Sequence, residues 1–129
     1  MGTRRTQGIV TLAIAGVVLL GVLYMARVLL LFAGATEGDV PDAARLQLPA
    51  GAEVIRQAED CASGGGWVTL RVRPPSGQSP EDLAAEIGAT PQLEIAGNLL
   101  DPRPVWVWAE PSAATLSLRV DYWSRKYIP

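Results

Sequence analysis

The sequence predicts an α+β fold in which an N-terminal transmembrane helix precedes a small, mostly antiparallel sheet with one short helix packed on one face. A long apolar run occupies roughly the first quarter of the 129 residues, several later stretches alternate apolar and polar side chains, and one short stretch carries signals for both ends of a helix. Alternation with a period of two indicates strands with one buried face, and an apolar run of this length indicates a membrane span.

The apolar run is predicted to form the transmembrane helix, over residues 8–32. Its first part has no charged side chain and, at 1.5 Å per residue, is long enough for about 28 Å of helix, close to the thickness of a bilayer core. This length favours an uncleaved signal anchor over a cleaved signal peptide, whose apolar region is shorter. Cleavage after Ala35 is the alternative, because residues 33–35 have the small-x-small pattern of a cleavage site.

The charges that flank the span predict its orientation. Arg4 and Arg5 precede the span, whereas acidic residues follow it. Basic residues close to a span are retained on the cytoplasmic side of a membrane. Residues 1–7 are therefore predicted to be cytoplasmic, residues 33–47 a linker, and residues 48–129 an extracytoplasmic domain held at the cell membrane.

Arg27 interrupts the apolar run and has two explanations. At the outer interface, its stem would stay in apolar surroundings while the guanidinium reaches the headgroups, beside an interfacial Tyr24. If the helix instead continues within the bilayer through Phe32, Arg27 would need an acidic partner on a neighbouring protein. The predicted partners are therefore the lipid bilayer and, in the second case, another membrane protein.

The clearest local signal after the span predicts a short helix over residues 81–87. Ser79 is a good N-cap, Pro80 suits the first helical position, and two acids in the first turn face the positive end of the helix dipole. Gly88 can adopt the left-handed conformation that ends a helix. The apolar side chains of this segment share one face, which we expect to pack on the sheet.

Strands are predicted where the side chains alternate. Residues 67–73 and 115–123 each place apolar side chains on one face and polar side chains on the other. Residues 104–110 are apolar on both faces and are expected to form a central strand, joined to the last strand by a Pro-Ser-Ala-Ala hairpin. Weaker strands are expected over residues 53–57 and 92–95.

Arginine and tryptophan side chains define a candidate binding surface. If the short helix covers the Val/Leu face, the opposite face carries the arginines together with either the valines or the tryptophans of residues 104–110. Guanidinium groups over indole rings make cation–π contacts, and such a face could bind an anionic glycan or a lipid headgroup. The alternative is a core filled by the tryptophans beneath a solvated arginine face. The candidate ligand or partner contacts are Arg27, Arg71, Arg73, Trp106, Trp108 and Arg119.

The residue types that are missing limit the chemistry. The chain has no histidine and one cysteine, which removes the usual zinc sites and the Ser/His and Cys/His nucleophile systems. The acidic balance after the span also disfavours nucleic-acid binding. We therefore expect no enzyme activity, no cofactor, no metal and no nucleic-acid partner. Cys61 is expected to form an intermolecular disulfide, to be reactive, or to be a shielded free thiol.

Residues 48–88, LPAGAEVIRQAEDCASGGGWVTLRVRPPSGQSPEDLAAEIG, resemble segments of small, uncharacterised single-pass membrane proteins of high-GC bacteria. The strong preference for arginine over lysine is consistent with such a genome. The resemblance implies a membrane address rather than an activity, and it implies relatives with a second cysteine where this chain has Gly66. The whole sequence predicts a membrane-anchored extracytoplasmic interaction or accessory module; the alternative is a cell-envelope module that binds a ligand through its Arg/Trp face.

Overall fold

The computed structural model describes residues 2–122, which form a long helix, a five-stranded sheet and one short helix. The long helix α1 spans Gly2–Glu37, the short helix α2 spans Pro80–Ile87, and a single 3-10 turn covers Ala43–Arg45. The strands are β1 (Glu53–Ala62), β2 (Gly65–Arg73), β3 (Gln92–Ile95), β4 (Val105–Pro111) and β5 (Leu116–Asp121). The predicted α+β class is confirmed. The predicted strand over residues 115–123 ends at Trp123, which lies outside the described residues.

The strands follow the order β1-β2-β5-β4-β3, and every neighbouring pair is antiparallel. The middle position therefore belongs to β5. Residues 104–110, predicted as the central strand, correspond to β4, which lies one place away from the middle with β3 on its outer side. It is thus an interior strand, paired on both sides, as predicted, and its tryptophans occupy the face of the sheet that α2 does not cover.

The core lies between one face of the sheet and the segments that cover this face. Helix α2 packs on β4 and β5, as predicted, and the end of α1 packs on β2. The predicted caps hold α2 in place, since the Ser79 hydroxyl accepts a hydrogen bond from the Asp82 amide and Gly88 adopts the left-handed conformation. The largest fully buried side chains are Leu83, Leu116, Leu118, Val68, Val72, Val105, Val107 and Val120.

The segment predicted as a linker, residues 33–47, is part of the folded domain. Helix α1 continues to Glu37, and the chain then crosses the core face of the sheet. Ala35 and Leu46 are only 1% and 6% exposed, and Pro41 is also buried. Because α1 runs directly into buried structure, no flexible spacer separates it from the sheet.

The glycine-rich stretch 63–66 contains the β1–β2 turn and the start of β2, and it also makes room for the end of α1. A Cβ on Gly66 would lie 2.7 Å from the carbonyl oxygen of Gly38, and a Cβ on Gly65 would lie 3.2 Å from that of Ala35. Backbone segments that approach this closely leave space only for glycine. The stretch is therefore both a turn and the surface on which the helix end packs.

Helix α1 is exposed along most of its length. Every side chain from Gly2 to Arg27 is exposed, and Val28 is the first that is half-buried. The helix is long and apolar enough to cross a membrane, and the most apolar part of it is not buried against the domain. An N-terminal signal sequence would have the same length and composition. The domain thus covers only the last turns of α1, beyond the uncharged segment.

Candidate functional site

The face of the sheet opposite α2 carries the predicted arginines and tryptophans together. The strand register places Arg119 of β5 between Thr69 of β2 and Trp108 of β4. The next row across the same strands consists of Trp67, Asp121 and Trp106. This surface, called the open face from here on, combines aromatic rings with charges of both signs.

The tryptophans of β4 do not fill the core. Val105 and Val107 are fully buried beneath the elements on the core side, whereas Trp106 and Trp108 are half-buried on the open face. Successive side chains of a strand point to opposite faces, so burial of the valines places both indoles beside the arginines. The interpretation in which the tryptophan pair fills the core is therefore wrong.

Arg119 is held in place by two neighbours. Its guanidinium carbon lies 4.2 Å from the centroid of the Trp67 ring, and its Nε lies 3.3 Å from a carboxylate oxygen of Asp121. The Asp121 side chain is only 8% exposed. The expected cation–π contact therefore exists, but with Trp67, a residue absent from the predicted set. The alternation of residues 67–73 already placed this indole on the arginine face and was the signal that could have found it.

A cavity of about 770 Å³ opens on the open face next to the β1–β2 turn. Two of the predicted contacts, Trp108 and Arg119, line it. The walls are the turn itself (residues 62–66) and side chains of the sheet, including Trp67, Thr69, Glu110, Ser117 and Asp121. The cavity therefore offers indole surfaces beside hydroxyl, carboxylate and guanidinium groups.

The remaining predicted arginines of the sheet do not line the cavity. Arg73 is at the far end of β2, where its Nη1 is 2.9 Å from Glu53 in an ion pair whose side chains are both more than half exposed. Arg71 is also exposed, in the row opposite Ser117. The structure thus divides the predicted set, with Arg119 at the cavity and Arg71 and Arg73 on the solvated part of the same face.

Arg27 contacts the domain of its own chain. Its Nη2 donates a hydrogen bond of 2.7 Å to the carbonyl oxygen of Leu100, in the connection between β3 and β4. Neither sequence explanation included this contact. It gives the guanidinium a neutral hydrogen-bond acceptor within the chain, not the acidic partner that the intramembrane explanation requires.

Arg103 joins the end of α1 to the sheet, and the sequence reasoning missed it. Its side chain is 7% exposed and donates hydrogen bonds to both carboxylate oxygens of Asp101 at 2.8 Å, to Asp39 at 2.9 Å, and to the carbonyl oxygen of Leu31 at 3.0 Å. Its guanidinium carbon also lies 4.1 Å from the centroid of the Tyr122 ring. These contacts make Arg103 the buried centre of a polar cluster.

The protonation states in this cluster are fixed around neutral pH. The hydrogen bonds from Arg103 hold the pKa of the Asp101 carboxyl below its ordinary value, and Asp101 in turn raises the pKa of Arg103. Burial raises the pKa of the Tyr122 hydroxyl. The ion pair therefore stays charged while Tyr122 stays neutral. The sequence signal that could have identified Arg103 is the stretch Asp-Pro-Arg-Pro, residues 101–104, in which a charged pair lies directly before a buried strand.

Cys61 is exposed on β1, opposite Gly66 of β2. The interpretation as a shielded thiol is therefore wrong, whereas an intermolecular disulfide and a reactive thiol stay predictions. Within residues 2–122, no group of three His, Cys, Asp or Glu side chains is arranged to hold a metal ion.

Comparison of the chain with protein-family models, with curated proteins and with solved structures finds no match. The function is therefore inferred from three features of this chain alone. These are the exposed apolar helix, the polar cluster around Arg103 that joins this helix to the domain, and the cavity on the open face.

Proposed function

We propose that the chain is a single-pass membrane protein with a cytoplasmic N-terminus, whose outer domain is an interaction or accessory module without enzyme activity of its own. The observation that carries the proposal is the direct join between an exposed apolar helix and the folded domain through Arg103. A domain held against its anchor presents the open face at a fixed height and direction relative to the bilayer. Such a fixed presentation suits recognition of a neighbour in the same membrane.

The join also supports retention of the anchor over cleavage after Ala35. Ala35 lies inside α1 and is almost completely buried. Cleavage there would separate the Leu31 carbonyl from Arg103 and would remove the helix end that packs on the β1–β2 turn. The domain uses residues on both sides of the cleavage pattern, so the uncleaved chain is the form that keeps these contacts.

Cys61 provides a test of the proposed orientation, because it is the one cysteine of the chain and is exposed. In intact cells, a membrane-impermeant maleimide should label Cys61 without permeabilisation, at the mass of the uncleaved chain. The Cys61→Ser variant is the control for specificity. Labelling that appears only after permeabilisation would contradict the orientation, and a labelled product beginning after Ala35 would contradict the anchor.

The same labelled protein tests the accessory role. After solubilisation in mild detergent, it is expected to co-purify with another membrane protein at a constant ratio. Recovery of the chain by itself, with correct labelling at Cys61, would leave the anchor in place but would contradict the accessory role and favour ligand binding.

Ligand binding in the cavity is the second candidate function, and the lining favours a neutral glycan of the cell envelope. Indole rings offer flat apolar surface for the faces of sugar rings, and hydroxyl and carboxylate groups can bond to sugar hydroxyls. An anionic headgroup is less suitable, because Arg119 is already paired with Asp121 and Glu110 adds a second carboxylate to the walls. The cavity therefore supports the glycan rather than the headgroup.

Substitution of Arg119 tests this second function. Tryptophan fluorescence of the full chain in nanodiscs would be titrated with neutral cell-envelope oligosaccharides. Since a hydrogen bond to a charged group contributes about 1.5–3 kcal/mol, Arg119→Ala should weaken binding by roughly tenfold or more. Arg73→Ala, an exposed arginine of the same face outside the cavity, should leave the affinity unchanged. Equal losses in both variants, or no binding by the original chain, would contradict glycan recognition in the cavity.

A further inference from the structure

Two leucines form the tip of the turn between β3 and β4. The Asn98 amide donates to the carbonyl oxygen of Asp101 at 2.9 Å, so Leu99 and Leu100 occupy the two central positions of a tight turn. The Asn98 side-chain oxygen accepts from the amides of Leu100 and Asp101, both at 2.9 Å. Leu99 is 81% exposed and Leu100 is 73% exposed. Turn tips normally carry Gly, Pro, Asn, Asp or Ser, so two exposed leucines here are unusual.

The turn is held firmly in its projecting position. Arg45 donates to the carbonyl oxygen of Ala96 at 3.1 Å and to that of Arg103 at 3.0 Å, which ties both arms of the connection to the domain. A Cβ on Gly97 would clash with the backbone of Pro102, so the two arms pack directly against each other. The leucines therefore cannot turn inward to the core without breaking these contacts.

The turn lies where α1 leaves the proposed bilayer. Arg27 ends the uncharged segment of the helix, and its guanidinium donates to the Leu100 carbonyl at 2.7 Å. The rise from Arg5 to Arg27 is about 33 Å, which matches the thickness of a hydrocarbon core and places the two arginines at opposite interfaces. The hydrogen bond to Arg27 therefore places the Leu100 carbonyl at the level where the helix meets the headgroups.

We propose that Leu99 and Leu100 insert into the outer leaflet as a second membrane contact, in addition to α1; the proposal rests on the membrane anchoring proposed above. The apolar tip enters the boundary between headgroups and acyl chains, while Arg27 donates a hydrogen bond to the Leu100 carbonyl beside it and remains at headgroup level. The lipid surface is the occupant because the contact with Arg27 places the leucines at the point where the apolar helix meets the headgroups.

A fluorescent probe attached to single cysteines tests the insertion. In a Cys61→Ser background, the full chain would carry nitrobenzoxadiazole at one of three positions: Leu99→Cys in the turn, Leu19→Cys in the span, or Ala113→Cys. Ala113 is the matched control, because it occupies the tip of another tight turn, closed by the Ser112 amide and the Thr115 carbonyl at 2.9 Å. The two turns lie at opposite ends of β4, about 20 Å or more apart.

The probes would be read in vesicles of phosphatidylethanolamine and phosphatidylglycerol that contain a nitroxide lipid labelled on its acyl chain. The probe at residue 99 should be quenched several times more strongly than the probe at residue 113, with its emission shifted to the blue. Changing Leu100 to aspartate (Leu100→Asp) should reduce the quenching at residue 99, because a charge opposes insertion.

Three results would overturn the proposal. Equal quenching at residues 99 and 113, with strong quenching at residue 19, would leave the anchor in place and remove the turn from the membrane. Protection of residue 99 from aqueous iodide without quenching by the lipid would show that the turn docks on a protein. Absence of quenching at residue 19 would overturn the anchor and the insertion together.

Discussion

Replacing Arg103 with alanine is expected to lower the free energy of unfolding by about 2–4 kcal/mol, as for other buried charges that lose a hydrogen-bonded network. The change removes the donor shared by Asp39, Asp101 and the Leu31 carbonyl. Asp101 is the more enclosed of the two acids and would lose the cation that forms its ion pair. Urea unfolding of the full chain in detergent, followed by tryptophan fluorescence, measures the loss.

Two further variants show whether the loss comes from the geometry of the guanidinium. Arg103→Lys keeps the charge but replaces a planar fork that reaches all three partners with a single ammonium group, so its loss should be intermediate. Arg73→Ala removes an exposed ion pair and should cost less than about 1 kcal/mol. If Arg103→Ala were no more costly than Arg73→Ala, the cluster would not be what joins the helix to the domain.

Replacing Gly66 with valine is expected to destabilise the domain by about 3 kcal/mol, the upper end of the usual range for overpacking. The new Cβ would lie 2.7 Å from the Gly38 carbonyl oxygen and 2.8 Å from Cγ2 of Val40. The first of these is backbone and cannot rotate away, so the end of α1 must move off β2. The same unfolding measurement applies, and protease cleavage between α1 and β1 should become faster.

Ala62→Val is the matched control for this substitution. Ala62 lies in the same hairpin as Gly66 but on β1, and its side chain is exposed. A valine there should therefore change the free energy of unfolding by no more than about 0.5 kcal/mol. Equal effects of the two substitutions would mean that the cost comes from stiffening the hairpin. The close approach of the helix end to Gly66 would then not matter for stability.

The parts of the fold that the sequence predicts are those with local signals. The caps of α2 lie within a few residues of the helix, and the alternation of β2 and β5 shows which side chains face the core. Strand β1 was predicted only to residue 57 because its second half carries charges on an edge of the sheet, where neither face is buried. Alternation indicates a strand only when one of its faces is covered.

The candidate site was predicted only in part, because its decisive contacts join distant parts of the chain. Arg103 meets Asp39 and Leu31 across 64 and 72 residues, and no local pattern indicates such a pairing. The linker prediction failed for the same reason, since acids and glycines after an apolar run are typical both of a spacer and of a helix end that contacts a sheet. The open face was accessible to sequence reasoning because strand alternation alone decides which side chains share it.

The continuity between α1 and the domain has a mechanical consequence. A transmembrane helix adjusts to bilayer thickness chiefly by changing its tilt. Because the last turns of α1 are buried against β2 and bonded to Arg103, a change of helix angle rotates the whole sheet by the same angle. If α1 spans the bilayer as proposed, the direction in which the cavity opens therefore depends on the thickness of the membrane.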